Sequence, residues 1–261
     1  MASRTYQTDA IVLRRDDYGE ADRLLTVLTP GLGKLRVMAK GARKMTSRKA
    51  GHVELFTEVR LMLARGRTFD IVTQAEAIAT HRALREDLRR GSYAHYLAEL
   101  TDQFAQEQAE DAALYDLLSN GLVWLCDARD PALAARLFEM RLLSLSGYRP
   151  QLMRCARTGE PLEVDQAAEG ADVATAYSPA EGGTLCARAA LLARDGFALP
   201  RSALMLLRVL QTRELDQLDA LDVPEAVGDQ VERALRRTFV YTLERALKST
   251  RFIRQVEGAE S

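Results

Sequence analysis

The sequence predicts an α+β protein in which a small amino-terminal barrel of five strands precedes an α-helical body that carries a loop-rich insert. Three changes of pattern predict it. Up to Ile78 the apolar residues come in short, β-branched runs broken by turn residues, and beyond Thr80 they recur every three or four positions. Over 148–198 both periods give way to a polar, alanine-rich tract interrupted by Pro150, Pro161, Pro179, Gly159, Gly170, Gly182 and Gly183. The chain therefore divides into a barrel over 1–80, a helical domain made of 81–148 and 199–254, and an insert over 149–198. With 261 residues, 47% of them hydrophobic, there is enough apolar material for more than one core.

The strands fall over 9–14, 23–28, 34–39, 55–63 and 69–75, with turns at Asp16-Asp17-Tyr18-Gly19, Thr29-Pro30-Gly31 and Arg65-Gly66-Arg67. Alternation is clearest in the fourth, where Leu55, Thr57, Val59, Leu61 and Leu63 share one side and Glu58 and Arg60 the other, so one face is buried. Five short strands with a longer basic connection after the third suit a compact barrel such as an OB-fold, whose open face commonly binds nucleic acid.

The helical part begins with two packing faces, Tyr93, Leu97, Leu100 and Phe104 in one helix and Leu114, Leu117, Leu118, Leu122 and Leu125 in the next. A third helix starts with Asp130 as N-cap and Pro131 at its first position, runs through Leu133, Leu137, Met140, Leu143 and Leu145, and stops at Gly147. The insert is acidic over 160–181 and has room for one short hairpin. Helix resumes over 202–214 and again at Pro224. There Val227, Val231, Leu235, Phe239, Leu243 and Leu247 form a stripe, with Arg233, Arg236, Arg237, Arg245 and Lys248 mostly off it.

The strongest functional signal is the stretch 31–53, GLGKLRVMAKGARKMTSRKAGHV. Its seven basic residues (Lys34, Arg36, Lys40, Arg43, Lys44, Arg48 and Lys49) stand without a single acid, in a chain of formal net charge −1 and pI near 6.4. A near-neutral chain binds a polyanion only through a local face, and this block supplies one. Its glycines and small residues let backbone amides approach phosphates, and nothing in it is an obvious nucleophile or general base. By contrast, 91–128 holds seven acids and no Lys or Arg, so one part of the chain attracts a polyanion and another repels it. Tyr18 and Phe69 are secondary candidates as stacking planes.

No catalytic constellation is present. No nucleophile and histidine share a recognisable spacing, there is no Walker sequence, and Gly31-Leu-Gly33 is too short for a dinucleotide loop. An enzyme is not expected. The three cysteines, Cys126, Cys155 and Cys186, are few and odd in number, and the apolar run 10–13 is too short for a secretory segment, which implies a reducing cytoplasm. No run approaches the ~18 apolar residues that span a bilayer. Cys155 and Cys186 flank the insert, and Thr158 and Ala189 stand where a C-x-x-C…C-x-x-C frame would have its other members. Two thiols do not make the closed shell of a structural zinc ion, so no metal or other cofactor is expected.

Segments spread over nearly the whole chain resemble, in order, the RecO family of bacterial DNA repair and recombination mediators. They are Asp9-Ala-Ile-Val-Leu-Arg14, Asp17-Tyr-Gly-Glu-Ala-Asp-Arg-Leu24, Gly33-Lys-Leu-Arg36, Lys40-Gly-Ala-Arg-Lys44 with Ser47-Arg48, Gln74-Ala-Glu76, Leu84-Arg-Glu-Asp-Leu88, Phe138-Glu-Met-Arg-Leu-Leu143 with Gly147-Tyr148, and Leu247-Lys-Ser-Thr-Arg-Phe252. The resemblance implies an OB-fold, a helical body and a zinc-finger-like insert, the last degenerate here because Thr158 and Ala189 depart from the commoner four-cysteine pattern. It also implies a non-enzymatic role: binding single- and double-stranded DNA, annealing complementary strands, and working with RecR to load RecA onto strands covered by single-strand-binding protein.

The mechanism expected is charge neutralisation, in which cations on one barrel face hold one strand and lower the repulsion felt by a second. An alternative is a protein-binding adaptor between single-strand-binding protein and RecR. Helix 131–145 then offers Leu133, Leu137 and Leu143 with Arg136 and Arg141 to an acidic, apolar-tipped peptide such as the tail of single-strand-binding protein. A metal-dependent nuclease, the third class, would cleave DNA with a divalent ion, and no such cleavage is expected.

Overall fold

The computed structural model describes residues 4–166 and 174–243. They form two compact units that divide at Asp127–Ala128. The first three helices therefore share a unit with the barrel, whereas the change of period at Thr80 starts the helical domain at residue 81.

In the first unit, β1 (Thr5–Tyr18), β2 (Asp22–Thr29), β3 (Gly33–Ala39), β4 (Glu58–Ala64) and β5 (Asp70–Ala79) close a barrel in the order β1-β2-β3-β5-β4. All neighbours are antiparallel except β3 and β5, which meet in parallel at Val37–Asp70 and Met38–Ile71. That is OB-fold architecture. Side chains alternate, and the inward set (Ala10, Val12, Leu25, Val27, Val37, Ala39, Val59, Leu61, Leu63 and Val72) fills the barrel.

Several strand boundaries differ from the expected ones: β1 starts at Thr5, ahead of residue 9, and β5 runs on to Ala79, past residue 75. β1 continues through Asp16-Asp17-Tyr18, which pair with Leu24, Arg23 and Asp22, so the turn is Gly19 to Ala21. Polar residues there do not prevent pairing, because Asp16, Asp17 and Tyr18 are exposed to water. β4 begins at Glu58, not at Leu55, because Phe56 takes φ +64, a left-handed conformation that no strand residue holds. Phe56 N–H donates to Val12 O at 3.0 Å, and its buried ring meets His95 edge-on at 4.9 Å.

The barrel is followed by α1 (Ala83–Glu86), α2 (Leu88–Phe104) and α3 (Ala112–Asp127). Asp87 caps α2 by accepting from Arg90 N–H. Tyr93, Leu97 and Leu100 of α2 and Leu114, Leu118, Leu122 and Leu125 of α3 are buried, as their spacing predicts. The two helices lie against β1 and β2. In consequence β2 is buried on both sides from Leu24 to Thr29, where an open sheet face would alternate.

The second unit begins with α4 (Pro131–Leu145), capped by Asp130 through Ala132 N–H and stopped at Gly147, φ +82, where Tyr148 N–H closes onto Leu143 O at 2.7 Å. There follow α5 (Glu163–Gln166), β6 (Ala174–Ser178), β7 (Gly183–Leu185), α6 (Ala187–Ala190), β8 (Phe197–Pro200), α7 (Arg201–Leu210), α8 (Leu215–Asp219) and α9 (Glu225–Leu243). The insert contains the expected hairpin, β6–β7, and also β8, giving a three-stranded sheet ordered β7-β6-β8. Tyr177 of β6 shares a buried 2.8 Å hydrogen bond with Thr238 of α9, which ties the sheet to the helices. Val231, Leu235 and Phe239 are buried in α9, while Arg245, Leu247 and Lys248 lie outside the described residues. Among the described residues no helix is long and apolar enough to cross a membrane.

One titratable link joins the barrel to α3. His81 Nε2 lies 3.3 Å from Glu58 Oε1 of β4, which also accepts from Ser119 Oγ of α3 at 2.7 Å. Burial opposes the imidazolium, but Cys126 and Glu58 outweigh it and raise His81 from 6.5 to about 9. A cation favoured by the fold stabilises fully below the unfolded value and is lost as pH rises through the folded one. Thermal stability should therefore fall as pH rises from 6.5 through about 9. In His81→Gln, melts across this window should show a flattened profile.

Candidate nucleic-acid interface

The basic stretch maps onto β3 and the connection that follows it. Inward-pointing Leu35, Val37 and Ala39 force Lys34, Arg36 and Met38 to the outside of β3. Beyond Ala39 the chain folds back on the β1–β2 turn. Gly41 N–H donates to Asp22 Oδ1 at 2.7 Å, Arg43 N–H donates to Ala21 O at 2.9 Å, and Ala42 is buried between them. The connection is thus a folded loop with fixed anchors.

The seven cations separate into two kinds. Lys34 and Lys49 work inside the protein. Lys34 Nζ donates to the Asp102 carbonyl at 2.6 Å and pairs with its carboxylate at 3.1 Å, and Lys49 Nζ donates to Val72 O at 3.0 Å. Asp102 of α2 therefore holds one of the expected phosphate contacts. The other five are exposed. Arg36 lies over the Phe69 ring at 5.2 Å, and Arg43 contacts Asp17 at 3.3 Å while donating to Gly19 O. Among the described residues Lys40, Lys44 and Arg48 make no ion pair, so their charge is unneutralised.

Several acids near the loop are already occupied, whereas Glu20, in the turn on which the loop packs, is exposed. Glu54, which follows the basic block, is held by Arg15 of β1 and by Arg23 of β2 at 3.1 Å. Asp70 accepts from Tyr6 Oη and from Gly66 N–H. Arg36 stacks on Phe69, the residue that closes the β4–β5 turn, and that turn exposes Arg65 and Arg67. Both extend the cationic surface beyond the seven cations of 31–53, although the sequence reading places them only in a turn. Arg-Gly-Arg between two strands was the available signal. Phe69 is covered by Arg36, whereas Tyr18, half exposed at the end of β1, keeps an open ring.

The helix offered for peptide binding does not present its arginines in the expected way. Arg136 is buried, with Nε 2.8 Å from the fully buried Glu139 and Nη1 3.4 Å from Glu232 of α9. This corrects its placement on an open face: a buried Glu139 one turn away requires a counter-charge, and Arg136 supplies it. Arg141 is partly exposed but is engaged by Glu214 and the Arg213 carbonyl, both at 2.9 Å.

In the insert Cys155 and Cys186 are buried, and Thr158 Oγ1 lies 3.8 Å from Cys186 Sγ. Burial pushes the Cys155 thiol up, but hydrogen bonds from Thr158 and from the backbone of Cys186 outweigh it and bring it to about 7. A neutral hydroxyl at 158 and a methyl at 189 do not fit the donor set of a closed zinc shell.

Two family models match the chain. Recombination protein O N terminal covers residues 1–81 and Recombination protein O C terminal covers 85–251. The chain belongs to the RecO family. Similar relatives include the DNA repair protein RecO of Roseiflexus sp. (strain RS-1), 41% identical over 98% of this chain and 87% of the relative. The DNA repair protein RecO of Desulforudis audaxviator (strain MP104C) is 40% identical over 97% of this chain and 98% of its own. A third, from Dehalococcoides mccartyi (strain ATCC BAA-2100 / JCM 16839 / KCTC 5957 / BAV1), is 32% identical over 94% of this chain and 93% of its own. The RecO match therefore spans both the barrel and the helical unit.

The division of the cations makes a stability prediction. Lys34→Ala and Lys49→Ala remove internal hydrogen bonds and should each cost about 1–2 kcal/mol in urea denaturation. Lys44→Ala and Arg48→Ala should leave the midpoint unchanged.

Proposed function

We propose that this RecO-family chain is a DNA-binding mediator of recombination and repair that makes and breaks no covalent bond. It grips polynucleotide backbones through Arg36, Lys40, Arg43, Lys44 and Arg48, with Arg65 and Arg67 extending the path. The observation that carries the proposal is that Lys40, Lys44 and Arg48 stand exposed and, among the described residues, without an ion pair, on a loop anchored to an OB-type barrel. Phosphates replace water and counterions around such cations at little cost, and the affinity comes from counterion release. A strand held there has part of its charge neutralised, so a complementary strand approaches against less repulsion and pairs with it. Sequence is read by the strands and not by the protein, which fits single- and double-stranded DNA alike.

Family membership supports the wider role: annealing complementary strands and, with RecR, helping to load RecA onto strands covered by single-strand-binding protein. The donor chemistry around Cys155 and Cys186 supports an insert that keeps its shape by packing, without zinc. The adaptor alternative draws no support from α4, whose Arg136 is buried and whose Arg141 is already engaged.

Binding to single-stranded oligonucleotide, followed by fluorescence anisotropy from low to high salt, tests the assignment. The logarithm of affinity should fall steeply with the logarithm of salt. In the Lys40→Ala, Arg43→Ala, Lys44→Ala triple variant the slope should be smaller by about two, from roughly 0.7 per lost phosphate contact. An unchanged slope in that variant would reject these residues.

A further inference from the structure

We propose that Met45 is a base-contacting site: an apolar wedge at the apex of the basic loop that inserts between stacked bases of a strand held by the surrounding cations. The inference rests on the polynucleotide reading above and adds what the loop does to the bases.

Three observations carry it. First, the Met45 side chain has a relative exposure of 105%, and among the described residues no other large apolar side chain is as open, with Leu191 next at 88%. Single exposed hydrophobes are ordinary, so exposure alone decides nothing. Second, its place in the chain is specific. Lys44 precedes it and Arg48 follows three residues later, both exposed and unneutralised among the described residues. A strand whose phosphates meet those two cations has its bases beside Met45.

Third, the apex is held in position. Ser47 N–H donates to Lys44 O at 2.9 Å, closing a β-turn whose first central residue is Met45. Lys44 N–H donates in turn to Gly41 O at 3.1 Å, and Gly41 and Arg43 are bonded to Asp22 and Ala21. Successive turns fixed to the β1–β2 hairpin thus aim the side chain outward, and little ordering remains to be done on contact.

The chemistry suits the position. Methionine is long, unbranched and polarisable, so it enters the narrow gap between base planes and gains contact on both faces. Apolar side chains, methionine among them, act as wedges that partly unstack nucleic acid, and the cost of a few kcal/mol is offset by backbone contacts. For a protein that promotes pairing, breaking the stack of a single strand frees its bases to reorient toward a partner.

The test uses the full-length protein and a single-stranded adenine oligonucleotide carrying one 2-aminopurine, whose fluorescence is quenched while stacked. Anisotropy of the same oligonucleotide, end-labelled, reports binding separately. Wild type at saturation should raise the 2-aminopurine signal about twofold or more, while Met45→Ala, brought to saturation in the anisotropy channel, keeps its salt slope and loses most of the rise. Met45→Leu, which keeps an apolar wedge, should retain the rise. A full rise in Met45→Ala, or wild-type binding with no rise at all, overturns the wedge while leaving the backbone grip intact. Absence of wild-type binding in the anisotropy channel overturns the polynucleotide reading itself, and the wedge with it.

Discussion

The packing of α2 and α3 against β1 and β2 is the contact on which the first unit depends. Ile11, Leu13, Leu24 and Leu28 are buried although they alternate with residues that fill the barrel, so these strands are covered on both sides. Covering an apolar outer face contributes about 25 cal/mol for each Å² removed from water. It also closes the face along β2 on which OB-folds commonly lay a strand. What stays open is the outer edge of β3, the β4–β5 turn and the loop after Ala39. The same packing brings Asp102 to Lys34 and converts one expected phosphate contact into an internal tie.

A cation serves a polyanion only where the fold has not already neutralised it. Lys34 and Lys49 are bonded internally, Arg36 and Arg43 are engaged but exposed, and Lys40, Lys44 and Arg48 stand open. Several counter-charges near the loop are occupied as well: Glu54 by two arginines, Asp22 by Gly41 N–H and Asp70 by Tyr6. Local electrostatics thus explains how a chain of near-zero net charge can carry a strongly positive edge.

Much of this was legible in the sequence, because period and capping are local properties. Asp130-Pro131 and Gly147 bound α4 as expected, and the inward Val59, Leu61 and Leu63 of β4 follow from alternation alone. What was not legible depends on distant partners. Nothing near Lys34 announces Asp102, 68 positions away, and nothing near Arg136 announces Glu232 on α9. Phe56 is a strand former by composition, and only its buried packing against His95 explains why the chain turns there. β8 leaves no alternation to read, because Phe197–Pro200 is short and runs directly into α7.

The central claim is that backbone phosphates meet the open lysines of the loop and not the bonded ones. Lysine-acylation footprinting of the intact protein, read by mass spectrometry with and without a saturating single-stranded oligonucleotide, tests it most directly. Lys40 and Lys44 should be protected on binding, while the low reactivity of Lys34 and Lys49 should not change. Equal reactivity of Lys40 and Lys44 in the two states, under conditions where the oligonucleotide is bound, would contradict the account.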